Sequence, residues 1–356
     1  MENKNLYQAQ IFCNRLQKKY KELRKWARKN RITCYRLYDR DIPEIPLSLD
    51  MYEFLPDDID SKIDAARFLA EQNARYSAND PLVEKENSLR RFFILYLYER
   101  PYEKDENDEE QWLDLMSKTV SEVFNVPVSH ILRKERRKQK GESQYEKSTE
   151  TSIVKGRVQE QGQLFNVDLS SYIDTGLFFD HRPLRAVVRN SSSGKAVLNL
   201  FCYTGSFSVY AAEGNAKSVE SVDLSNTYLS WAEENFRLNG YYSGKQKFVK
   251  DDVFHYLKEA QKKGERFDLV VIDPPTFSNS KMSNHVLDIQ KDYSKLLNNL
   301  LPLLTPDADV FFSTNFTRFK PDNNSLMYNK IENITDSTIP PDFRNKKIHY
   351  CYHLKK

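Results

Sequence analysis

Four short apolar runs in the second half of this chain each stop at a residue with a hydrogen-bonding side chain. Asn199 follows AVL, Asp223 follows SVESV, Asp251–Asp252 follow KFVK, and Asp273 follows DLVVI. The last stop is the most distinctive, because it reads Asp273-Pro274-Pro275-Thr276-Phe277. Two prolines end a strand and fix the backbone rigidly while the carboxylate of Asp273 is presented at its end. An acid at Asp223 can accept two hydrogen bonds from neighbouring hydroxyls such as those of a ribose, each worth about 1.5–3 kcal/mol. A carboxylate at Asp251–Asp252 can bond an adenine amine, or it can merely cap the helix that follows. Between the first strand and the next helix runs Asn199-Leu-Phe-Cys-Tyr-Thr-Gly205. Gly205 lets the backbone pass close to a ligand, and a helix starting near Ser206 offers free N–H groups to an anionic group. With a single glycine, the turn serves a dinucleotide pyrophosphate poorly.

Such stops do chemistry only if a scaffold brings them together. From about residue 166 to 356, strand-like runs (AVLNLF, SVESVD, KFVK, DLVVID, DVFFST) alternate with helical patterns. One helix is expected from Val286 to Leu303. This rhythm predicts an α/β fold with a doubly wound parallel sheet, whose ligands sit at the carboxyl ends of the strands. Residues 1–35 read as a single basic helix, with Phe12, Leu16, Tyr20, Leu23 and Trp26–Ala27 at three- and four-residue steps. Residues 36–165 read as a smaller α+β domain. Its strands are ITCYRLYD, PLSLDMY, RRFFILYLYE and VSHILRKER, and its helix runs from Glu109 to Phe124. A polar, acidic excursion occupies about 53–88, and the turn-rich GESQYEKSTET links this domain to the next.

A chain of 356 residues exceeds one ordinary core, and 39% apolar residues exclude a disordered chain. The longest apolar run, Phe92 to Tyr98, is too short to span a membrane, and MENKNLYQAQ has no export signal. Four scattered cysteines (Cys13, Cys34, Cys202, Cys351) form no disulfide-rich or zinc-type spacing. A cytoplasmic protein without a structural metal is therefore expected. The net charge is only +3, yet Lys18 to Arg31 holds eight basic side chains against one acid, Glu22. Arg133 to Lys140 holds six more. Local basic blocks on a near-neutral chain point to a polyanion rather than a lipid surface. Lys25 and Arg28 on the helix, with Arg133, Arg136, Arg137 and Lys138 in the second block, are the candidate RNA contacts.

The Asp-Pro-Pro step resembles the catalytic motif of class I methyltransferases. Together with Asp174-Thr-Gly-Leu-Phe-Phe-Asp180-His181-Arg182, NLFCYTGS (199–206) and IDPPTFSNS (272–280), the chain resembles one narrower family. This is the guanine-N7 methyltransferase module of large-subunit (23S) rRNA, found in some bacteria as half of a two-headed guanine methyltransferase. The likeness extends to residues 14–39, 133–145 and 342–351. It implies a Rossmann-like seven-stranded class I methyltransferase sheet behind a smaller RNA-binding domain. It also implies S-adenosyl-L-methionine as cofactor and large-subunit ribosomal RNA as partner. Asn199, Phe201, Thr204, Gly205, Asp223, Asp252 and Asp273 are the implied cofactor contacts, with Asp180 and Arg182 on a segment that closes over the pocket. The stretch at 53–88 departs from the family pattern. The guanine-N2 half is missing, so a stand-alone module is expected, with a separate protein as the candidate supplier of that half.

Which atom is methylated can be argued from the residues. Pyrimidine C5 chemistry needs a cysteine thiolate, and none of the four cysteines stands at a suitable strand end. Amine methyltransferases place an aromatic directly after the two prolines; here Thr276 intervenes and the aromatic is Phe277. Guanine N7 attacks with its own lone pair and needs no general base, which suits a site built on Asp273, Pro274 and Pro275 with no obvious histidine. Phe277 is the expected stacking partner of the base, and Asn315, at the fifth strand end, can read a base edge. Methylation of an exocyclic guanine or adenine amine, and a non-catalytic rRNA-binding assembly factor, remain as alternatives. A nicotinamide-dependent oxidoreductase would need the three-glycine turn that is lacking.

Overall fold

The structure is a computed structural model and describes residues 2–100, 104–136, 153–278 and 287–356. The described chain divides into two compact units, one of Met1–Thr175 with Pro341–Arg344 and one of Gly176–Pro340 with Asn345–Lys356.

In the first unit, α1 (Glu2–Lys29) precedes β1 (Cys34–Asp39) and β2 (Leu47–Glu53). The helices α2 (Lys62–Ser77) and α3 (Pro81–Ser88) form the excursion, followed by β3 (Arg91–Tyr98), α4 (Glu106–Phe124) and β4 (Ile131–Arg136). A hairpin of β5 (Lys155–Glu160) and β6 (Gln163–Asp168) completes it. The sheet order is β1-β2-β3-β4, antiparallel except for the parallel β3–β4 pair. Its core is made where the apolar stripe of α1 (Phe12, Leu16, Leu23) meets Leu49 of the sheet and Trp112 and Met116 of α4. Each such buried side chain contributes about 1.5–3 kcal/mol. Trp112 donates its indole N–H to Gln8 Oε1 at 2.8 Å, so the one polar atom it buries there is satisfied. The hairpin was not anticipated from the sequence; its turn places Gln161 (φ 50°) and Gly162 (φ 92°) both in the left-handed region, the geometry that two-residue hairpins favour. Asp342, far along the chain, accepts a hydrogen bond from the backbone N–H of Arg36 at 3.1 Å, which ties the short 341–344 segment to β1.

The second unit runs α5 (Arg182–Ser191), β7 (Ala196–Leu200), α6 (Ser206–Glu213), β8 (Ser218–Asp223), α7 (Asn226–Leu238), β9 (Gln246–Lys250), α8 (Val253–Lys262) and β10 (Phe267–Ile272). Two short strands, β11 (Phe277–Ser278) and β12 (Leu287–Asp288), pair with each other before α9 (Ile289–Asn298). Then come β13 (Leu304–Thr314), β14 (Lys330–Asn333), α10 (Thr335–Thr338) and β15 (Tyr350–Lys355). The seven-stranded sheet has the order β14-β15-β13-β10-β7-β8-β9. Strands β13, β10, β7, β8 and β9 are mutually parallel, while β15 runs antiparallel between β13 and β14. The expected α/β class and seven-stranded methyltransferase-type sheet are both present. Chain order reverses between β7 and β10, so the crevice lies over the carboxyl ends of those strands. The helix expected over 286–303 is shorter, ending at Asn298; a 3-10 turn at Leu301–Leu303 holds Pro302, which cannot continue an α-helix. Among the described residues no helix is long and apolar enough to cross a membrane.

Candidate active site

The turn after β7 is strained in a way that composition does not announce. Phe201 (φ 56°) and Tyr203 (φ 51°) both lie in the left-handed region, followed by Gly205 at φ 73°. Non-glycine residues there cost on the order of 1–3 kcal/mol each and persist only where the surroundings enforce them. Asp223 is one enforcer: its Oδ2 accepts from the backbone N–H of Tyr203 at 3.0 Å, and its Oδ1 from that of Ser225 at 2.9 Å. Thr204 is another, donating through Oγ1 to the carbonyl of Gly176 at 2.6 Å. A Cβ on Gly205 would stand 2.7 Å from Cβ of Ala232, so only glycine lets α7 approach this closely. The turn delivers the chain into α6, whose first N–H groups receive no side-chain cap. They are left to an anionic group.

Beneath the turn, Asn199 is buried and its amide donates to Ser208 Oγ at 2.8 Å, while its Oδ1 is buried with no partner. Burial pushes the Asp223 carboxyl above its ordinary range, against the lowering effect of its backbone donors. Asp252 caps α8, its Oδ1 accepting from the N–H groups of Phe254 (3.0 Å) and His255 (3.2 Å).

At the end of β10, Asp273 has both oxygens engaged. Oδ1 accepts from Ser313 Oγ at 2.6 Å, and Oδ2 lies 3.2 Å from His181 Nε2. A histidine therefore stands at the centre of a site expected to have none, and that expectation is corrected. The His181 ring stacks on His349 at 4.8 Å and 15°. Asp180 Oδ2 is 3.1 Å from His349 Nδ1 and 3.8 Å from His181 Nε2. Although burial alone would raise it, the two histidines hold the Asp180 carboxyl well below the usual carboxylate range. Asp180, His181 and His349 also have the donor composition of a metal-binding trio, and their ligand atoms lie within 4.8 Å of one another. His349 and Asp180 hydrogen-bond each other directly. Arg182, next in sequence, is buried with its guanidinium over the Phe179 ring.

The segment 176–182 abuts the β7 turn. Phe178 and Tyr203 rings are 5.3 Å apart, and a Cβ on Gly176 (φ 101°) would meet Trp231 of α7 at 2.4 Å. Pro274 is buried and Thr276 donates its hydroxyl to Asn315 Oδ1, coupling the fourth and fifth strand ends. The backbone of Phe277 enters β11, paired with Asp288. Burial pushes the Cys202 and Cys351 thiols far above their ordinary range, so neither is a thiolate near the site.

Of the basic residues singled out in the sequence, Lys25 is exposed and Arg28 half-buried on α1. Arg133 is neutralised by Glu110 (2.5 Å) and Asp114 on α4. Arg136 ends β4, whereas Arg137 and Lys138, like the GESQYEKSTET linker, lie outside the described residues.

A seven-stranded mixed sheet with a strained, uncapped strand–helix turn, an acid ending the next strand and Asp-Pro-Pro ending the fourth defines a class I methyltransferase. The family model for S-adenosylmethionine-dependent methyltransferases matches residues 99–332. The chain is 40% identical over 346 residues to ribosomal RNA large subunit methyltransferase K of Neisseria meningitidis serogroup B, covering 97% of this chain and 86% of that relative. It is 40% identical over 349 residues to ribosomal RNA large subunit methyltransferase K/L of Hahella chejuensis, covering 98% of this chain and 43% of that one. The chain thus belongs to the ribosomal RNA large subunit methyltransferase K family of S-adenosylmethionine-dependent methyltransferases. It spans less than half the length of the K/L relatives it matches. A methyltransferase crystallised in complex with SAH superposes with a TM-score of 0.69 at 21% identity, over 98% of this chain and 82% of that one. A methyltransferase from Streptococcus mutans gives 0.67 at 21% identity, over 98% and 81%. At that identity the likeness establishes the fold.

Proposed function

We propose that the protein methylates N7 of a guanine in large-subunit (23S) ribosomal RNA. The observation that carries this reading is the 40% identity to a K-type relative across 97% of the chain. S-adenosylmethionine, when bound, supplies an electrophilic methyl group on a sulfonium sulfur. The strand ends fit such a cofactor. The uncapped first turn of α6 and the closely packed Gly205 suit its carboxylate end, and the Asp223 carboxylate suits its ribose hydroxyls. Asp252 suits the adenine amine, and the buried, unpartnered Oδ1 of Asn199 marks a polar floor below. Thr204, Phe201, Asp180 and Arg182 complete the proposed cofactor surroundings.

Guanine N7 carries an exposed lone pair, so the protein has no proton to remove before attack. Its task is to align the base and exclude water. Asp273, held through Ser313 and His181, faces the positive charge that develops on the base and needs little reorganisation to do so. Pro274 and Pro275 fix it there, with Phe277 as the stacking partner and Asn315 against the base edge. Lys25 and Arg28, with Arg133 and the Arg136–Lys138 stretch, belong to the surface that meets RNA phosphates. A ribosomal RNA substrate supports a cytoplasmic location. Nucleoside mapping of large-subunit rRNA from cells lacking the protein tests the reading. One 7-methylguanosine should disappear; loss of a methylated amine or of 5-methylcytidine would overturn the assignment.

A further inference from the structure

The excursion α2–α3, which the family pattern leaves unexplained, closes a small cavity against α1 and the first sheet. Its volume is about 50 Å³, and Arg24, Arg28, Arg31, Tyr76 and Gln72 are among the residues lining it. On the scale of 10–15 Å³ per water, that is room for a phosphate-sized group but not for a stacked base. Three features distinguish it from an ordinary crevice. First, its arginines are uncompensated: among the described residues none of Arg24, Arg28 and Arg31 has a carboxylate partner. Glu53, which also lines the cavity, and Glu84 share the single guanidinium of Arg91, at 2.7 Å and 2.8 Å, so four arginines stand against two acids. Second, two of the lining residues each carry a buried polar atom without a partner, the donor Arg24 Nε and the acceptor Gln72 Oε1. Gln72 is only 6% exposed, so its empty acceptor is destabilising unless a hydrogen-bond donor reaches it. Third, the wall is braced. Arg28 lies 4.0 Å over the Tyr76 ring, and α2 is tied to α3 where Arg75 bonds Asp80 (2.7 Å) and Glu86 (2.6 Å).

The cavity therefore asks for an anion and a hydroxyl donor side by side. A phosphodiester alone offers only acceptors, and DNA adds no hydroxyl beside it. The ribose-phosphate unit of RNA has both, because the 2′-OH can donate to an amide oxygen while the phosphate faces guanidinium groups. We infer that this cavity is a second RNA site, which grips one backbone phosphate through Arg24, Arg28 and Arg31 and senses the adjoining 2′-hydroxyl through Gln72. The inference deepens the RNA-methylating reading above and rests on it for the identity of the natural ligand.

The test uses the full chain with a short oligouridylate and its deoxy counterpart. Replacing both Arg28 and Arg31 (R28Q/R31Q) should weaken both oligonucleotides and reduce the log K against log salt slope by about 0.7, the value for one phosphate on a single strand. Gln72→Met should leave that slope alone and lower the preference for RNA over DNA by about fivefold, one neutral hydrogen bond's worth. Wild-type protein gives an independent readout: oligouridylate should protect Arg28 and Arg31 from phenylglyoxal better than the deoxy oligomer does. An unchanged slope in the folded arginine variant, or equal modification of both arginines with and without RNA, would overturn the inference. Methyl transfer to rRNA by wild-type protein is scored separately. Transfer to guanine N7 with unprotected arginines sinks only this site, whereas protection without N7 transfer sinks only the functional reading.

Discussion

Gly205→Ala is the perturbation whose size the structure specifies best, because Gly194 provides an internal control. Both glycines have φ 73°, but a Cβ on Gly194 meets nothing within 4 Å, whereas one on Gly205 meets Ala232 Cβ at 2.7 Å and its Cα at 3.3 Å. Gly194→Ala should lose only the left-handed conformational term, about 1–2 kcal/mol. Gly205→Ala adds overpacking against the backbone of α7, a further 1–3 kcal/mol or so. The added overlap can be relieved only by moving the strained turn, so the cofactor should feel it as well. The expected result is a urea midpoint lowered more than in Gly194→Ala, with S-adenosylmethionine affinity by calorimetry reduced about tenfold, equivalent to about 1.4 kcal/mol. Affinity in Gly194→Ala should be unchanged. Adding Ala232→Gly to Gly205→Ala removes the nearest contact and should restore part of the affinity. If Gly205→Ala matched Gly194→Ala in both stability and affinity, the close approach of α7 would have no part in forming the cofactor turn.

Other perturbations follow from the same geometry. Asp223→Asn should weaken S-adenosylmethionine by about ten- to a hundredfold in calorimetry, the range of one or more charge-assisted hydrogen bonds. Because burial raises the Asp223 pKa, wild-type affinity should fall on acidification at a higher pH than an ordinary aspartate would give, and Asp223→Asn should lose that dependence. His181→Asn removes the 3.2 Å contact to Asp273 and should lower kcat by roughly ten- to a hundredfold while KM for S-adenosylmethionine stays put. A loss confined to KM would show that His181 does not position Asp273. Asp309 bonds Lys195, His353 and Lys355, each at 2.7 Å, and these partners depress its pKa against the raising effect of burial. Its folded pKa lies below the unfolded value, so its stabilisation is full above about pH 4 and drains away as pH falls below that. Urea titrations at neutral and acid pH should show this loss in wild type and a smaller one in Asp309→Asn.

The sheet was legible because buried parallel strands write themselves as short apolar runs, and DLVVI and DVFFS sit almost unbroken in β10 and β13. Strand ends carrying Asp223 and Asp273 were legible for the same reason: the residue after an apolar run is the one delivered to the crevice. The left-handed backbone of Phe201 and Tyr203 was not, since positive φ at an aromatic residue is imposed by tertiary contacts such as the Asp223 carboxylate. Nor was the stacked pair His181–His349, whose members lie far apart in the chain and meet only when β15 inserts between β13 and β14. Both histidines lay inside segments already marked by the family resemblance, 174–182 and 342–351, and that was the available signal. The hairpin at Gln161–Gly162 was missed because its flanking residues alternate weakly and the turn is bracketed by the polar Gln159, Glu160 and Gln163. The excursion was legible only as a polar, acidic stretch: its two helices, capped by Ser61 and Asp80, and the cavity they close appear only once α2 meets α1.

The central claim is transfer of a methyl group to guanine N7 by a site organised around Asp273. The most direct measurement incubates the protein with large-subunit rRNA lacking the modification and methyl-labelled S-adenosylmethionine, then locates label by aniline scission and nucleoside mass spectrometry. Label should appear as 7-methylguanosine at one scission site with wild-type protein and be absent with Asp273→Ala. Label on an exocyclic amine or a pyrimidine carbon, or undiminished transfer by Asp273→Ala, would contradict the account.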